Sequence, residues 1–250
     1  MDFTLSKYEQ LLRFLKDKGY DLITVTDYLE QDFAGPFVVM RHDVDRMKKN
    51  TIRMAELESS VGMNSTYYFR YPNTFDVDLM KKVSALGHEV GYHYEALSKA
   101  KGDEKQALKL FEKELSEFKE HFDVKTISMH GAPLSGVNNQ DLADMIDMES
   151  FGLKGDAISS INDTELVYFN DTGRRWDDKY NIRDKLDESE TTELKSTDDL
   201  IRYLEKKKFR KIYINTHPER WSDNVVVWMY KYVMDVGFNF GKRVVKGGIK

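Results

Sequence analysis

The chain alternates repeatedly between a short β-branched or aromatic run and an amphipathic stretch, a pattern that dictates βα units and a mainly parallel sheet. About seven runs qualify as strands by residue enrichment and bounding turns. They are Phe37 to Asp45 (FVVMRHDVD), Ser65 to Tyr71, His88 to Glu95 (HEVGYHYE), Val124 to Pro133 (VKTISMHGAP), Gly155 to Ser160, Glu165 to Asn170 and Arg210 to His217 (RKIYINTH). Helical spacing predicts helices over Lys7 to Lys18, from Ile52 to the stop at Gly62, and over Asp76 to Leu86, Asp103 to Phe122, Asp141 to Asp147 and Trp221 to Val236. Thr26-Asp27 reads as the cap of a further short helix, and Ser196-Thr197-Asp198 as a helix start.

At 250 residues the chain has the length of a single α/β barrel, and no Gly/Ser-rich or Pro-rich linker interrupts the alternation. The expected organisation is one α/β domain. It has N-terminal helices over 1–36, a motif-bearing core over 37–217, and a C-terminal helix and tail over 218–250. A content of 40% hydrophobic residues with only 4 Pro excludes disordered and collagen-like classes.

The net charge of −5, with no Lys/Arg cluster clear of acidic neighbours, argues against a nucleic-acid partner. Cys is absent, so disulfides, thiolate nucleophiles and Cys-bound zinc are excluded, and any metal falls to His, Asp and Glu. MDFTLSKYEQ lacks the apolar segment of a signal peptide, and the greasiest stretch, Val225 to Met234, is short and broken by Lys231. The expectation is a cytoplasmic protein that inserts into no membrane. Oligomeric state is not legible.

Side chains alternate across a strand, so parity assigns faces. Arg41, Asp43 and Asp45 share one face of the first strand, with His42 and Val44 on the other. His93 pairs with Glu95 by parity, Ser128 with His130, and Asn215 with His217. Each polar group closes a strand whose earlier residues are apolar, the place from which α/β enzymes build their sites. Taken singly these residues have ordinary readings: Asp43 and Asp45 as a helix cap and a solvated loop carboxylate, His88 as a structural hydrogen-bonder, His130 and His217 as turn caps. Together they are harder to explain by packing, because buried charge is costly unless paired or metal-bound.

Two carboxylates beside several imidazoles fit one divalent metal ion with an open position for water, zinc first, with cobalt, nickel, manganese and iron also suited to N/O ligands. Such a site suits hydrolysis of an amide or ester. Arg174, Arg175 and Trp176, with Asp171 just before, read either as a loop that clamps an anion and stacks a sugar, or as an Arg–Asp pair closing the barrel rim. Trp221 is a second candidate wall residue.

RHDVD, GHEVGYHYEAL, SMHGAPLS, NDTGRRWD and INTHPERW resemble, in order and spacing from about Val38 to His217, the motifs of the polysaccharide deacetylases with the NodB homology domain, carbohydrate esterase family 4. More narrowly they resemble a divergent subgroup found among surface-polysaccharide biosynthesis functions. The resemblance implies a distorted (β/α) barrel of about seven parallel strands, a carbohydrate or sugar-derived substrate, and removal of an acetyl group from an N-acetylated sugar. It implies Asp43 as general base, His217 as general acid, and Asp45 and His93 as metal ligands. His130, or in competition Glu95, would complete the metal site. Arg41, Glu95, Asp171, Arg175 and Trp176 fall in substrate-binding or orienting positions. The sequence departs from the family pattern in three places: Asp-Val-Asp replaces adjacent aspartates, Leu97 stands where a second metal His is expected, and His130 where the family has Arg. A sugar-binding protein without hydrolysis, or an amidohydrolase acting on a non-sugar amide, are the alternatives.

Overall fold

The structure, a computed structural model, describes residues 1–132, 135–177 and 193–248, with the side chains of 238–248 outside the description. Pro133, the last residue of one expected strand, lies outside the described residues.

The elements run α1 (Leu5–Asp17), β1 (Asp21–Ile23), α2 (Val25–Glu30), β2 (Phe37–Val44), α3 (Lys49–Ser60), β3 (Thr66–Phe69), α4 (Val77–Ala85), β4 (Glu89–Tyr94), α5 (Ala96–Lys99), α6 (Glu104–Lys119) and β5 (Thr126–Met129). A 3-10 helix (Asn139–Met145) leads on to β6 (Gly155–Asp156), β7 (Val167–Asn170), α7 (Thr197–Lys207) and β8 (Lys211–Thr216). A 3-10 turn (Pro218–Arg220) precedes α8 (Val225–Gly248). Seven strands pair in the order β6-β5-β4-β3-β2-β8-β7, every pair parallel, and curl into a half-barrel flanked by helices. The seven expected strands all have a counterpart.

β2 is the pivot. Every residue of it is buried, as a strand covered on both faces should be. Its start pairs with β1, its end with β3, and β8 lies along the other edge. Phe37 and Val39 face the concave side, where they join Tyr68 and Tyr213 in an apolar floor. Val38 and Met40 pack outward against α1 and α7. The floor therefore ends where Arg41 begins, and the polar residues of β2 stand on it at the open mouth.

Helix boundaries follow their caps. Asp76, Asp103 and Ser196 each accept a backbone N–H at the start of α4, α6 and α7. Gly91 lets β4 approach its neighbours, because a Cβ there would lie 2.9 Å from the Thr126 carbonyl and overlap the Tyr68 ring.

The differences from sequence expectation have local causes. β1 spans three residues, too few to show a period. Thr24, not Thr26, caps α2 through a reciprocal capping box with Asp27, leaving Thr26 to bond Glu89. The helix expected from Trp221 starts at Val225, because the Pro218–Arg220 turn drops Trp221 into the core against Phe3 and Tyr8. β6 keeps only two residues, since Asp156 turns back to accept the N–H groups of Ile158 and Ser159.

Candidate functional site

Parity along β2 places Arg41, Asp43 and Asp45 inside the mouth. Arg41 grips Asp43 with two parallel bonds, Nε to Oδ1 at 2.9 Å and a terminal nitrogen to Oδ2 at 2.7 Å. Asn215, from the neighbouring β8, adds a third bond at 2.9 Å to Oδ2. Burial works to raise the Asp43 pKa, but the Arg41 charge and bonds, with His93 and His217 nearby, outweigh it and hold the carboxyl far below the usual range.

Three imidazoles surround Asp45. His93 Nε2 lies 3.4 Å from its Oδ1, His130 Nε2 3.7 Å from the same oxygen, and His217 Nε2 3.9 Å from Oδ2. Each ring is oriented through its other nitrogen. His93 Nδ1 donates to the Ser128 carbonyl, His130 Nδ1 to Glu95, and His217 Nδ1 to Asp171, at 3.0, 3.0 and 2.7 Å. These bonds put the proton on Nδ1 and turn Nε2 toward Asp45, the second-partner arrangement usual for metal-binding histidines.

The site holds an unsettled contact. Asp45 Oδ1 is buried and accepts no hydrogen bond. The Asp45 carboxyl is ionised, because the neighbouring imidazoles outweigh its burial, whereas His130 is pulled toward neutrality by burial, against Asp45 and Glu95. His130 Nε2 and Asp45 Oδ1 thus face each other at 3.7 Å across a gap that no hydrogen bond closes. Ligands about 2.0–2.2 Å from a tetrahedral ion stand roughly 3.3–3.5 Å apart, and 3.4 Å separates His93 from Asp45. Among the described residues no group of three His, Asp or Glu side chains could hold a metal ion as placed. The donors suit one in kind, and in spacing only the His93–Asp45 pair does.

His217 is held by a buried support. Asp171 accepts its backbone N–H and ring N–H, and also bonds Arg220 and the Trp221 indole. Burial and Arg220 lower the His217 pKa, but Asp171 and Asp45 raise it further, so the net shift is upward. The Asp171 carboxyl falls to about 2, with Arg220 and His217 overcoming its burial.

Glu95 turns away from Asp45. It bonds His130 and Arg70, at 2.7 Å to the latter, and its pKa falls to about 2 against the effect of burial. Its place in the structure is that of orienter to His130. The NDTGRRW loop is also placed differently from an exposed clamp. Arg174 bonds Asp235 and Arg175 bonds Asp177, while Trp176 is 2% exposed beside Phe3 and Trp221. A ring so enclosed has no face for a sugar, and its contact with Trp221 supports the indole that holds Asp171. Trp221 itself is fully buried. His88 is a structural hydrogen-bonder, to Ser65 and the Ala55 carbonyl, and Leu97 packs into the apolar cluster under α5 and α6.

Three residues escaped the sequence reading. Asn215 shares the parity of His217, but parity alone assigns it no role. Arg220 and Glu219 sit in PERW directly after His217, and that proximity was the available signal. Glu219 is buried with neither carboxylate oxygen hydrogen-bonded. Burial and the Asp45 charge raise its pKa.

No family model matches the chain, and no curated protein matches it. Among solved structures it is similar to wild-type BA3943, a CE4 family pseudoenzyme from Bacillus anthracis, at 12% identity and a TM-score of 0.46. The likeness covers 82% of this chain and 61% of that one. The chain thus spans less than two thirds of that protein's length, and the meaning of the site rests on the site's own residues.

Proposed function

We propose that the chain is a metal-dependent hydrolase that removes an acetyl group from an N-acetylated sugar. The observation that carries the reading is the buried Asp45 oxygen faced by the Nε2 atoms of His93 and His130, beside an imidazole raised and held by Asp171. The sugar substrate is drawn from the motif resemblance.

Asp45, His93 and His130 would hold the ion. When bound, a divalent cation, zinc in the first instance, polarises an amide carbonyl and acidifies a water beside it. Asp43 accepts the proton of the attacking water. The grip of Arg41 makes it a weak base, so it is matched only to a water of raised acidity, and the same grip fixes its direction. His217, kept protonated by Asp171, gives a proton to the departing amine.

The test is metal analysis of protein purified without added ions, with acetate release from an N-acetylated oligosaccharide followed in parallel. Stoichiometric metal lost on His93→Ala, with turnover abolished by Asp43→Asn, supports the reading. Retained turnover in Asp43→Asn removes Asp43 as the base. A second reading, sugar binding without hydrolysis, is favoured by the clamp that depresses Asp43 and by the apolar packing of Leu97. A metal-free protein that binds sugar would establish it.

A further inference from the structure

Arg70, directly after β3, reaches along the mouth to the supports of two of the residues proposed to hold the ion. One terminal nitrogen donates to the Asp45 main-chain carbonyl at 2.9 Å, the other to Glu95 Oε2 at 2.7 Å. The same Glu95 oxygen accepts the Nδ1–H of His130. A single guanidinium thus joins the backbone that carries Asp45, at the end of β2, to the carboxylate that orients His130, after β5. The Arg70 backbone is pinned to the same strand end. Its N–H donates to Thr74 Oγ1, and the Thr74 hydroxyl donates to the Val44 carbonyl, both at 2.8 Å.

The side chains of Arg70 and Glu95 are only 12% and 11% exposed, so water screens the pair little, and the planar fork fixes a direction that a flexible ammonium would not. Lys99, 3.5 Å from the other Glu95 oxygen, holds that carboxylate from its far side. We propose that Arg70 is a positioning residue of the site: by tying the Asp45 carbonyl to Glu95 it sets the separation of Asp45 from His130, and it keeps Glu95 from taking the place of His130 beside the ion. This role rests on the reading of the site as a metal centre. The charge of Arg70 by itself would act in the opposite sense. A fixed cation close to the site repels a divalent ion, so loss of the charge alone tightens metal binding, whereas loss of the two bonds loosens it.

The experiment is titration of the full chain, dialysed against chelator, with zinc in the presence of a competing chelating dye, with thermal melts of the same samples. Arg70→Gln should weaken zinc binding by about 10–100-fold. Arg70→Lys keeps the charge without the fork, and should hold the wild-type melting temperature but not the wild-type affinity. A residue that served the fold alone would lower the melting temperature and leave the affinity of the folded chain as it was. Zinc binding in Arg70→Gln as tight as in wild type, or tighter, overturns the proposal, and so does full affinity in Arg70→Lys. A wild-type chain that takes up no zinc overturns the metal-centre reading and the positioning role with it. Uptake by wild type that both variants match removes the positioning role and leaves the metal centre standing.

Discussion

Glu58 and Asp45 are both buried carboxylates ringed by imidazoles, one on either side of β2, and they differ in what their oxygens touch. Behind the strand, Glu58 of α3 accepts Tyr8 and His42 on one oxygen and Ser65 and Tyr67 on the other, with distances of 2.6–2.7 Å to His42, Ser65 and Tyr67. His42 is fixed in turn by Thr216, and His88 by Ser65 and Ala55. At the mouth, Asp45 has an oxygen without a hydrogen bond, and the Nε2 atoms of His93 and His130 face it at 3.4 and 3.7 Å. A buried carboxylate must be compensated. The first cluster is compensated by the protein's own donors and is structural; the second is not compensated in that way, and on the proposed reading a cation would complete it. A carboxylate among histidines is therefore no mark of a site in itself, and the unsatisfied atom is what distinguishes one.

The comparison is broken most directly by exchanging the losses. Asp45→Ala should lower acetate release by about 10²–10⁴-fold while the melting temperature stays level or rises, because a buried charge with an unmet oxygen is gone. Glu58→Ala should do the reverse. It leaves the hydroxyls of Tyr8 and Tyr67 and the ring of His42 without their acceptor in a closed core, at roughly 3–5 kcal/mol. Denaturant melts of both variants, alongside turnover, check the pair. A Glu58 variant as stable as wild type would end the distinction.

Acid separates the two sides next. Glu58 falls to about 2 from an ordinary 4.5, the charge and bond of His42, the charge of His88 and the bond of Ser65 overcoming its burial. A group depressed by folding stabilises above its unfolded pKa, and that contribution is lost as pH falls from about 4.5 through about 2. It amounts to about 3 kcal/mol. Equilibrium unfolding at stepped pH should show this loss, and Glu58→Gln should flatten it. On the mouth side the readout is rate. His217 must be protonated to act and is raised above its usual 6.5, so activity should fall as pH climbs through its pKa. Asp171→Asn removes the nearest raising charge and should move that alkaline limb to lower pH.

Much of this was legible because strands report themselves by parity. FVVMRHDVD carried both faces of β2 in its alternation: Arg41, Asp43 and Asp45 inward, His42 outward. The seven strands were visible because each is a β-branched or aromatic run set off from an amphipathic stretch. β1 was not, since DLI is too short to show a period, and its pairing with β2 is a tertiary fact. The site residues were found as types at strand ends, but their partners were not. Whether Trp176 offers its face or hides it depends on Phe3 and Trp221, from distant parts of the chain. That Glu95 orients His130, and leaves Asp45 to the imidazoles, depends on where Arg70 reaches. Sequence spacing supplied the chemistry, and only packing shows which oxygen is unmet.

Glu219 gives the finest test, because it is a second unmet carboxylate on the open side. Its oxygens are buried without hydrogen bonds, the Nε of Arg46 stands 3.9 Å away, and burial and the Asp45 charge raise its pKa above 4.5. A carboxyl raised by folding favours the folded state below its unfolded pKa, and this contribution is lost as pH rises through the folded value. Glu219→Gln should therefore stabilise the protein by about 1–2 kcal/mol near neutral pH, where burial and the Asp45 charge oppose ionisation of the wild-type carboxyl, and by nothing near pH 4. Thermal melts of the pair across that range read the difference. The same exchange at Glu58 lowers stability at neutral pH, so the sign of a single Glu→Gln substitution separates the open side of β2 from the closed one. Loss of stability in both variants would mean that Glu219, too, has donors within the fold.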